Sequence, residues 1–180
     1  YKAAVVTVSD RGSRGEREDI SGPEIARILE SIGIEIAARR IIPDEKEMIR
    51  QTLVGLCDGD RIDLVLTTGG TGVSPRDVTP DATRDVIERE IPGMAEEMRR
   101  QTGLVTPHAM ISRAIAGIRN ETLIINLPGS PRGARENLNA VLPALHHAIE
   151  KQEMQVHYQP VVSVADGSVH GAEALLRWES

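Results

Sequence analysis

Short apolar runs alternate with segments of helical spacing along most of this chain. Each apolar run is typical of a strand that is buried on both faces of a sheet. We predict strands at Lys2–Val8, Ile34–Ile42, Asp63–Thr68, Ala114–Ile118 and Leu123–Leu127. Between these runs, apolar residues recur every three or four positions, which indicates helices. The alternation predicts an α/β fold: a doubly wound, largely parallel sheet with helices on both faces.

The predicted helices begin at recognisable capping sequences. Asp44 is placed to be an N-cap, with Glu47 at the third helical position, close to a capping box. Thr79 is placed as a second N-cap, followed by a proline at the first helical position. We predict helices that open at Ser21 and Asp44, and others at Pro80–Arg89, Pro92–Thr102 and Gly133–Lys151.

A loop of small residues follows the third strand and reads Thr68-Gly69-Gly70-Thr71-Gly72. Its backbone N–H groups can approach an anion closely, because the glycines carry no Cβ. Arg76 and Asp77 lie a few residues downstream and add a cation and a carboxylate. The loop lacks the lysine and the spacing of the familiar phosphate-binding motifs. A simple tight connection between strand and helix is therefore the alternative interpretation.

Four polar segments follow predicted strands and could share one rim of the sheet. They are Ser9–Gly15, Pro43–Glu45, Thr68–Asp77 and Pro128–Pro131. Open α/β sheets bind ligands at the carboxyl ends of their strands. This convergence favours a phosphorylated ligand over a simple connection.

Composition narrows the classes of protein further. The 180 residues suit one domain with an appendage, and the net charge is −6. An acidic chain with 2% aromatic residues predicts no nucleic-acid surface. Cys57, the only cysteine, lies among apolar residues and is predicted to be a packed thiol. Without a membrane-length apolar run or a secretion signal, we expect no membrane partner and a cytoplasmic location.

The motifs together resemble the molybdopterin-binding Mog/MoaB family, which includes the gephyrin G domain. The residues that carry the likeness lie within 2–151: Ser9-Asp10-Arg11, Asp19 with Ser21-Gly22-Pro23, Pro43-Asp44-Glu45, Thr68–Gly72 with Arg76–Pro80, and Leu127–Pro131. The resemblance implies a molybdopterin adenylyltransferase that uses ATP and magnesium and releases pyrophosphate. It also implies a homotrimer, with some hexameric relatives, and a separate molybdenum-inserting protein that uses the product.

The resemblance also assigns roles to individual residues. Asp44 and Asp77 match the family's two acidic active-site positions, where they would hold magnesium or orient the attacking phosphate. Without the resemblance, Asp44 reads as an N-cap and Asp77 as a turn residue. The remaining implied substrate- or nucleotide-binding residues are Ser9, Asp10, Thr68, Gly69, Gly70, Thr71, Gly72 and Ser130. His108, His146 and His147 show no ligand-like spacing and are predicted to be surface residues.

The last residues depart from that family, so we divide the chain at 1–151 and 152–180. Alternating apolar positions from Val156 onward and a turn at Ala165–Ser168 predict a β-hairpin appendage. Residues 155–178 resemble the opening of an EAL domain, the fold of cyclic-di-GMP phosphodiesterases, and include Glu173-Ala174-Leu175. The other residues of such a site are missing from this stretch, so we expect no cyclic-di-GMP hydrolysis.

Two alternatives to adenylylation remain. The same fold could carry a molybdenum-insertion or pyrophosphatase-type activity, although proteins of those kinds usually have further domains. It could also be a non-catalytic module that binds pterin or acts as a scaffold, because one fold supports several functions.

Overall fold

The computed structural model describes residues 1–60, 62–150, 156–162 and 169–176. The chain forms two compact units, Tyr1–Pro143 and Ala144–Ser180. The turn predicted at residues 165–168 lies outside the described residues.

The first unit is built on a six-stranded sheet. In chain order the strands are β1 Lys2–Val8, β2 Glu35–Ile42, β3 Leu64–Thr68, β4 Arg89–Glu90, β5 Ala116–Arg119 and β6 Thr122–Leu127. Their order across the sheet is β2-β1-β3-β6-β5-β4. The four strands β2, β1, β3 and β6 are parallel. Strand β5 pairs antiparallel with β6, and β4 pairs antiparallel with β5. The predicted doubly wound, largely parallel fold is confirmed, with an antiparallel edge.

Helices connect these strands. They are α1 Asp10–Ser13, α2 Ser21–Ser31, α3 Lys46–Val54, α4 Thr79–Arg84, α5 Pro92–Gly103 and α6 Pro131–Glu150. A π-helical turn, Gly55–Gly59, extends α3, and a 3₁₀ helix occupies Pro107–Ile111. The sequence did not predict α1, β4 or the 3₁₀ helix. Helix α4 ends at Arg84, five residues before the predicted end.

Alternate residues of the central strands pack on opposite faces of the sheet. On one face, Val6 and Val65 join a buried cluster with Ile49 and Leu53 of α3 and Ala82 of α4. At the alternate positions of these strands, Val5, Leu64 and Leu66 are also buried. Helix α2 packs on β1 and β2 and buries Ile25 and Leu29 completely. Cys57 is buried, as predicted, and its burial raises the pKa of the thiol to about 11.

Both predicted N-caps are wrong. Helix α3 begins at Lys46 after Glu45, and the Asp44 carboxylate instead accepts a hydrogen bond from Asp10 N (2.7 Å). Thr79 lies inside the first turn of α4, and its backbone N donates to Gly70 O (3.1 Å). The Asp44 carboxylate is thus engaged by a residue distant in sequence, whereas Thr79 lies one position beyond the cap of its helix.

In the second unit, β7 (Val156–Val162) and β8 (Val169–Leu176) form an antiparallel pair. Val156 lies opposite Leu176, and the register shifts between Val161 and Val162. The pairing agrees with the predicted hairpin.

Over the residues that the structure describes, no helix is long and apolar enough to cross a membrane.

Candidate functional site

The carboxyl ends of β2, β1, β3 and β6 lie side by side at one rim of the sheet, which we call the carboxyl rim. Backbone hydrogen bonds link the segments that leave these strands. Ser9 N donates to Ile42 O (2.8 Å), and Gly69 N donates to Leu127 O (3.1 Å). The four polar segments predicted to converge are therefore neighbours in the structure.

A cavity of about 290 Å³ opens at this rim. The predicted site residues that line it are Ser9, Asp44, Thr68, Gly69, Gly70 and Ser130. Asp10, Thr71, Gly72 and Asp77 lie outside its lining. The remaining lining residues are Thr7, Val8, Gly12, Arg17, Glu18, Asp19, Ile20, Ser21, Gly129 and Pro131.

The glycine loop crosses the rim in a conformation that suits glycine. Gly69 and Gly70 have φ angles of 108° and 62°, in the region that side chains other than glycine rarely adopt. A Cβ on Gly69 would collide with Val8 O. A Cβ on Gly70 would lie 2.5 Å from Thr79 Oγ1 and 3.2 Å from Asp44 Oδ1. Close approach of neighbouring chain segments thus requires Gly69, whereas Gly70 keeps a carboxylate and a hydroxyl close to the loop.

Asp10 and Asp44 form a reciprocal pair of hydrogen bonds, in which the backbone N of each residue donates to the carboxylate of the other. Asp10 N donates to Asp44 Oδ2 (2.7 Å), and Asp44 N donates to Asp10 Oδ1 (3.0 Å). Arg76 donates to Asp10 Oδ2 (2.6 Å) and to Glu45 Oε1 (3.1 Å). The predicted cation of the loop is therefore paired with acidic side chains.

The pKa values of Asp10 and Asp44 are shifted in opposite directions. The hydrogen bond from Arg76, helped by that from Asp44 N, lowers the pKa of Asp10 below its ordinary value. Burial, followed by the nearby charges of Asp10 and Asp77, raises the pKa of Asp44. The hydrogen bond from Asp10 N and, to a smaller extent, the charge of Arg76 offset part of that rise. Asp44 is thus the acid whose ionised form this rim disfavours most clearly.

Asp77 lies in the turn between the glycine loop and helix α4. Its Oδ2 accepts a hydrogen bond from Ser74 N (2.8 Å), and its backbone N donates to Ser74 O (2.9 Å). A Cβ on Gly72 would lie 2.8 Å from Asp77 Oδ2. These contacts are those of a turn residue, and they also place the carboxylate against the glycine loop.

The two carboxylates suit a magnesium ion that arrives with a phosphate ligand. Across the described residues, Asp44 Oδ1 and Asp77 Oδ1 accept no hydrogen bond, so each carboxylate keeps one oxygen to offer. No group of three or more His, Cys, Asp or Glu side chains could hold a metal within the described part of the chain. Magnesium commonly binds one or two carboxylates together with substrate phosphates. The donor set fits that arrangement.

Sequence reasoning missed several residues that build the cavity. Asp19 accepts from Thr7 Oγ1 (2.8 Å) and from Gly22 N (3.0 Å), and Ser21 Oγ donates to Gly129 O (3.0 Å). Asp19 and Ser21 stand among the residues of the family likeness and could have been chosen on that signal. Arg17 is exposed and lines the cavity. No sequence motif distinguished it from other residues of the polar loop.

A doubly wound sheet with a glycine loop and acids at its carboxyl rim is the arrangement in which open α/β domains bind their ligands. The chain belongs to the family described as the probable molybdopterin binding domain, whose family model matches residues 4–147. This confirms the Mog/MoaB likeness. An EAL domain model matches residues 143–180, which include the stretch that resembles that domain.

Similar bacterial proteins support this family membership. The molybdopterin adenylyltransferase of Helicobacter pylori J99 is 43% identical over 148 residues, 81% of this chain and 84% of that protein. The Escherichia coli K12 enzyme of that name is 44% identical over 79% of this chain and 74% of its own length.

Solved structures share the fold. The molybdopterin biosynthesis enzyme MoaB from Thermus thermophilus is 50% identical with a TM-score of 0.78, covering 83% of this chain and 94% of that one. A MogA structure is 37% identical with a TM-score of 0.79, covering 83% of this chain and 98% of that one.

Proposed function

We propose that this protein is a molybdopterin adenylyltransferase in molybdenum cofactor biosynthesis. The observation that carries the proposal is the half-buried Asp44 carboxylate, held against Gly70 at the rim and within electrostatic reach of Asp77. The names of the similar bacterial proteins support the same activity. ATP and molybdopterin are the proposed substrates, and magnesium is the proposed metal.

The reaction joins two anions, so positioning and charge neutralisation dominate its barrier. A terminal phosphate oxygen of molybdopterin attacks the α-phosphorus of ATP, forming one P–O bond. The bond from that phosphorus to the β-phosphate bridge breaks, and pyrophosphate leaves. Asp44 and Asp77 would hold magnesium, which supplies positive charge between their carboxylates and the phosphates when bound.

The remaining residues of the rim bind and orient the substrates. The backbone N–H groups of Thr68–Gly72 are proposed to donate to phosphate oxygens, with Ser9, Asp10 and Ser130 around the ligands. Two of these groups are excepted: Gly69 N already donates to Leu127 O, and Thr68 N lies within the ladder that β3 forms with β1. Arg17 is proposed to neutralise phosphate charge, since Arg76 is already engaged with Asp10 and Glu45.

A product assay tests this function directly. The purified chain is incubated with molybdopterin, ATP and magnesium, and pyrophosphate and adenylylated pterin are both quantified. Equal amounts of the two products are expected. Pterin binding without turnover would favour the non-catalytic scaffold, whereas pyrophosphate without adenylylated pterin would favour a pyrophosphatase-type activity.

The proposed homotrimer has a candidate contact surface. Leu104, Val105, Met110 and Ile111 are 53–80% exposed, and all four lie within the segment 104–111, which we propose as the contact. Light scattering should give a trimer or hexamer, and Met110→Glu should dissociate it. A monomeric wild-type chain would refute the assembly. A molybdenum-inserting partner protein and a cytoplasmic location remain predictions from the sequence.

We also propose that catalysis resides in residues 1–151 and that 152–180 are an appendage. Every proposed site residue precedes the cut. Deleting residues 152–180 should leave adenylyltransferase activity within about twofold, provided that the helix end tolerates the cut. A folded but inactive truncated chain would show that the tail contributes to the site.

A further inference from the structure

Arg113 touches both sides of the glycine loop without lining the cavity. Its backbone N donates to Thr71 O (2.9 Å), on the side where the loop leaves β3. Its Nη1 donates to Asp77 O (3.1 Å), on the side where the loop returns to α4. One residue, distant in sequence, thus ties together the two sides of the segment 69–79.

The guanidinium is itself fixed in orientation. Its Nη2 donates to both carboxylate oxygens of Asp81 in α4, at 2.6 and 2.7 Å. The main chain beside it is held as well, because Arg99 Nη1 donates to Ala114 O (3.0 Å). A planar, rigid side chain anchored in this way transmits the position of α4 and of the 112–114 segment to the Asp77 carbonyl.

The hydrogen bond from Arg113 to the Asp77 carbonyl also affects where the Asp77 carboxylate lies. Among the described residues, the Asp77 carboxylate accepts one hydrogen bond, from Ser74 N within the same exposed turn, and it lies against Gly72. The position of its backbone therefore decides where the carboxylate stands relative to Asp44 and the loop. A displacement of about 1 Å in such a group can cost about a hundredfold in rate.

We infer that Arg113 is a positioning residue for the adenylyl transfer: it sets the main chain of Asp77 and the glycine loop for the reacting phosphates. The inference rests on the proposed function for its kinetic consequence. Its structural part, the ordering of residues 69–79, stands independently of that function.

The chain contains a matched control at the opposite rim. Arg119 donates to both carboxylate oxygens of Asp58 (2.8 and 2.6 Å), and its Nη1 donates to Val86 O (3.1 Å). It makes the same kinds of contact as Arg113, but at the amino end of β6. The variants for the test are therefore Arg113→Met, Arg113→Lys and Arg119→Met.

Two measurements are made on the full chain. Steady-state kinetics with ATP and molybdopterin should show kcat reduced about ten- to a hundredfold in Arg113→Met, with KM changed less than about threefold. Arg113→Lys should recover thermal stability but less than half of kcat, because one ammonium cannot hold Asp81 and the Asp77 carbonyl in the same planar fork. Arg119→Met should lose stability yet keep kcat within about twofold.

Amide hydrogen exchange over residues 69–79 is the second measurement and needs no substrate. Exchange should accelerate about tenfold or more in Arg113→Met and stay unchanged in Arg119→Met. Unchanged exchange in Arg113→Met would overturn the inference, as would a kcat equal to that of Arg119→Met. An inactive wild-type chain would refute the proposed function, while the exchange result would still decide the role of Arg113.

Discussion

The two rims of the central sheet use the same residue types in opposite ways. At the amino rim, Arg119 and Asp58 pair bidentately, and Thr122 Oγ1 donates to Ile62 O (2.5 Å). At the carboxyl rim, Thr79 Oγ1 is buried and has no hydrogen-bond partner over the described chain. Asp44 there keeps a carboxylate oxygen that accepts no hydrogen bond from any described residue.

The contrast between the two rims favours a ligand at the carboxyl rim. Buried polar groups in folded proteins are nearly always paired, so an unpaired one needs a reason. At the amino rim, the side chains of Arg119, Asp58 and Thr122 find their partners within the described part of the protein, as in a structural region. The carboxyl rim leaves donor and acceptor capacity unused beside its glycine loop, which is the arrangement expected of a site completed by substrate.

The largest expected effect comes from the two acids of the carboxyl rim. Asp77→Asn and Asp44→Asn should each lower kcat/KM about a hundredfold or more, because the proposed metal contact needs the charge. Asparagine keeps the size of the side chain and an acceptor oxygen. Initial rates of pyrophosphate release, with molybdopterin and ATP varied in turn, check this.

Asp58→Asn provides the control for these substitutions at the amino rim. It removes a carboxylate that pairs with Arg119, far from the cavity, and should leave kcat/KM within about twofold. Equal losses in all three variants would indicate a general effect on folding. Near-normal turnover in Asp77→Asn would remove that acid from the mechanism.

A smaller effect is expected from the cation that lines the cavity. Arg17→Ala should weaken ATP or pterin binding about tenfold, the usual size for losing a charge-assisted hydrogen bond, with less change in kcat. Arg14→Ala is the matched control, because Arg14 is exposed nearby but pairs with Glu16 (2.8 Å). Isothermal titration separates the two, and equal affinities would assign Arg17 to the solvated surface.

Much of the fold could be predicted because the central strands β1, β3 and β6 are buried. Strand β1 lies at its predicted bounds, since a strand covered on both faces is apolar throughout. Strand β4 was missed because it consists of only two charged residues, Arg89 and Glu90, so no apolar alternation marks its pairing with β5. The 3₁₀ helix and α1 are too short for apolar periodicity to show.

The parts of the site that consecutive residues form could be predicted from the sequence. The parts that depend on contacts between distant residues could not. The glycine loop is visible as a sequence, and the structure places it beside the cavity. The cap assigned to Asp44 failed because Asp10, distant in sequence, provides the partner of its carboxylate. Thr79 is instead the first residue of α4, and its hydroxyl has no partner among the described residues. Arg113 reaches the loop across more than thirty residues, and no local pattern marks that contact.

The two rims should also respond to pH with opposite signs. The hydrogen bond from Arg119 lowers the pKa of Asp58, so its contribution to stability is present above the ordinary value of 3.8 and is lost as pH falls through the lowered pKa. Burial raises the pKa of Asp44, so its ionisation costs stability as pH rises from 3.8 through the raised pKa.

Urea unfolding of metal-free protein can detect this contrast. At neutral pH, Asp58→Asn should be less stable than wild type, and Asp44→Asn should be as stable or more so. Both differences should shrink as the solution is acidified below pH 3.8, where the wild-type carboxylates become protonated in the unfolded chain. A neutral-pH loss in Asp44→Asn as large as that in Asp58→Asn would contradict the assigned directions.

The smallest effect is expected at Thr79, and its counterpart at the amino rim gives the comparison. Thr122→Val removes the donor to Ile62 O and leaves a buried carbonyl unpaired, which should cost about 1–3 kcal/mol of unfolding free energy. Thr79→Val removes a hydroxyl without a described partner and should cost less than about 0.5 kcal/mol or stabilise the fold. Both substitutions keep a branched side chain of similar volume, so packing is matched. Urea midpoints at constant m-value provide the measurement. A loss at Thr79 equal to that at Thr122 would mean that this hydroxyl is paired in solution, and the contrast between the two rims would lose its clearest residue.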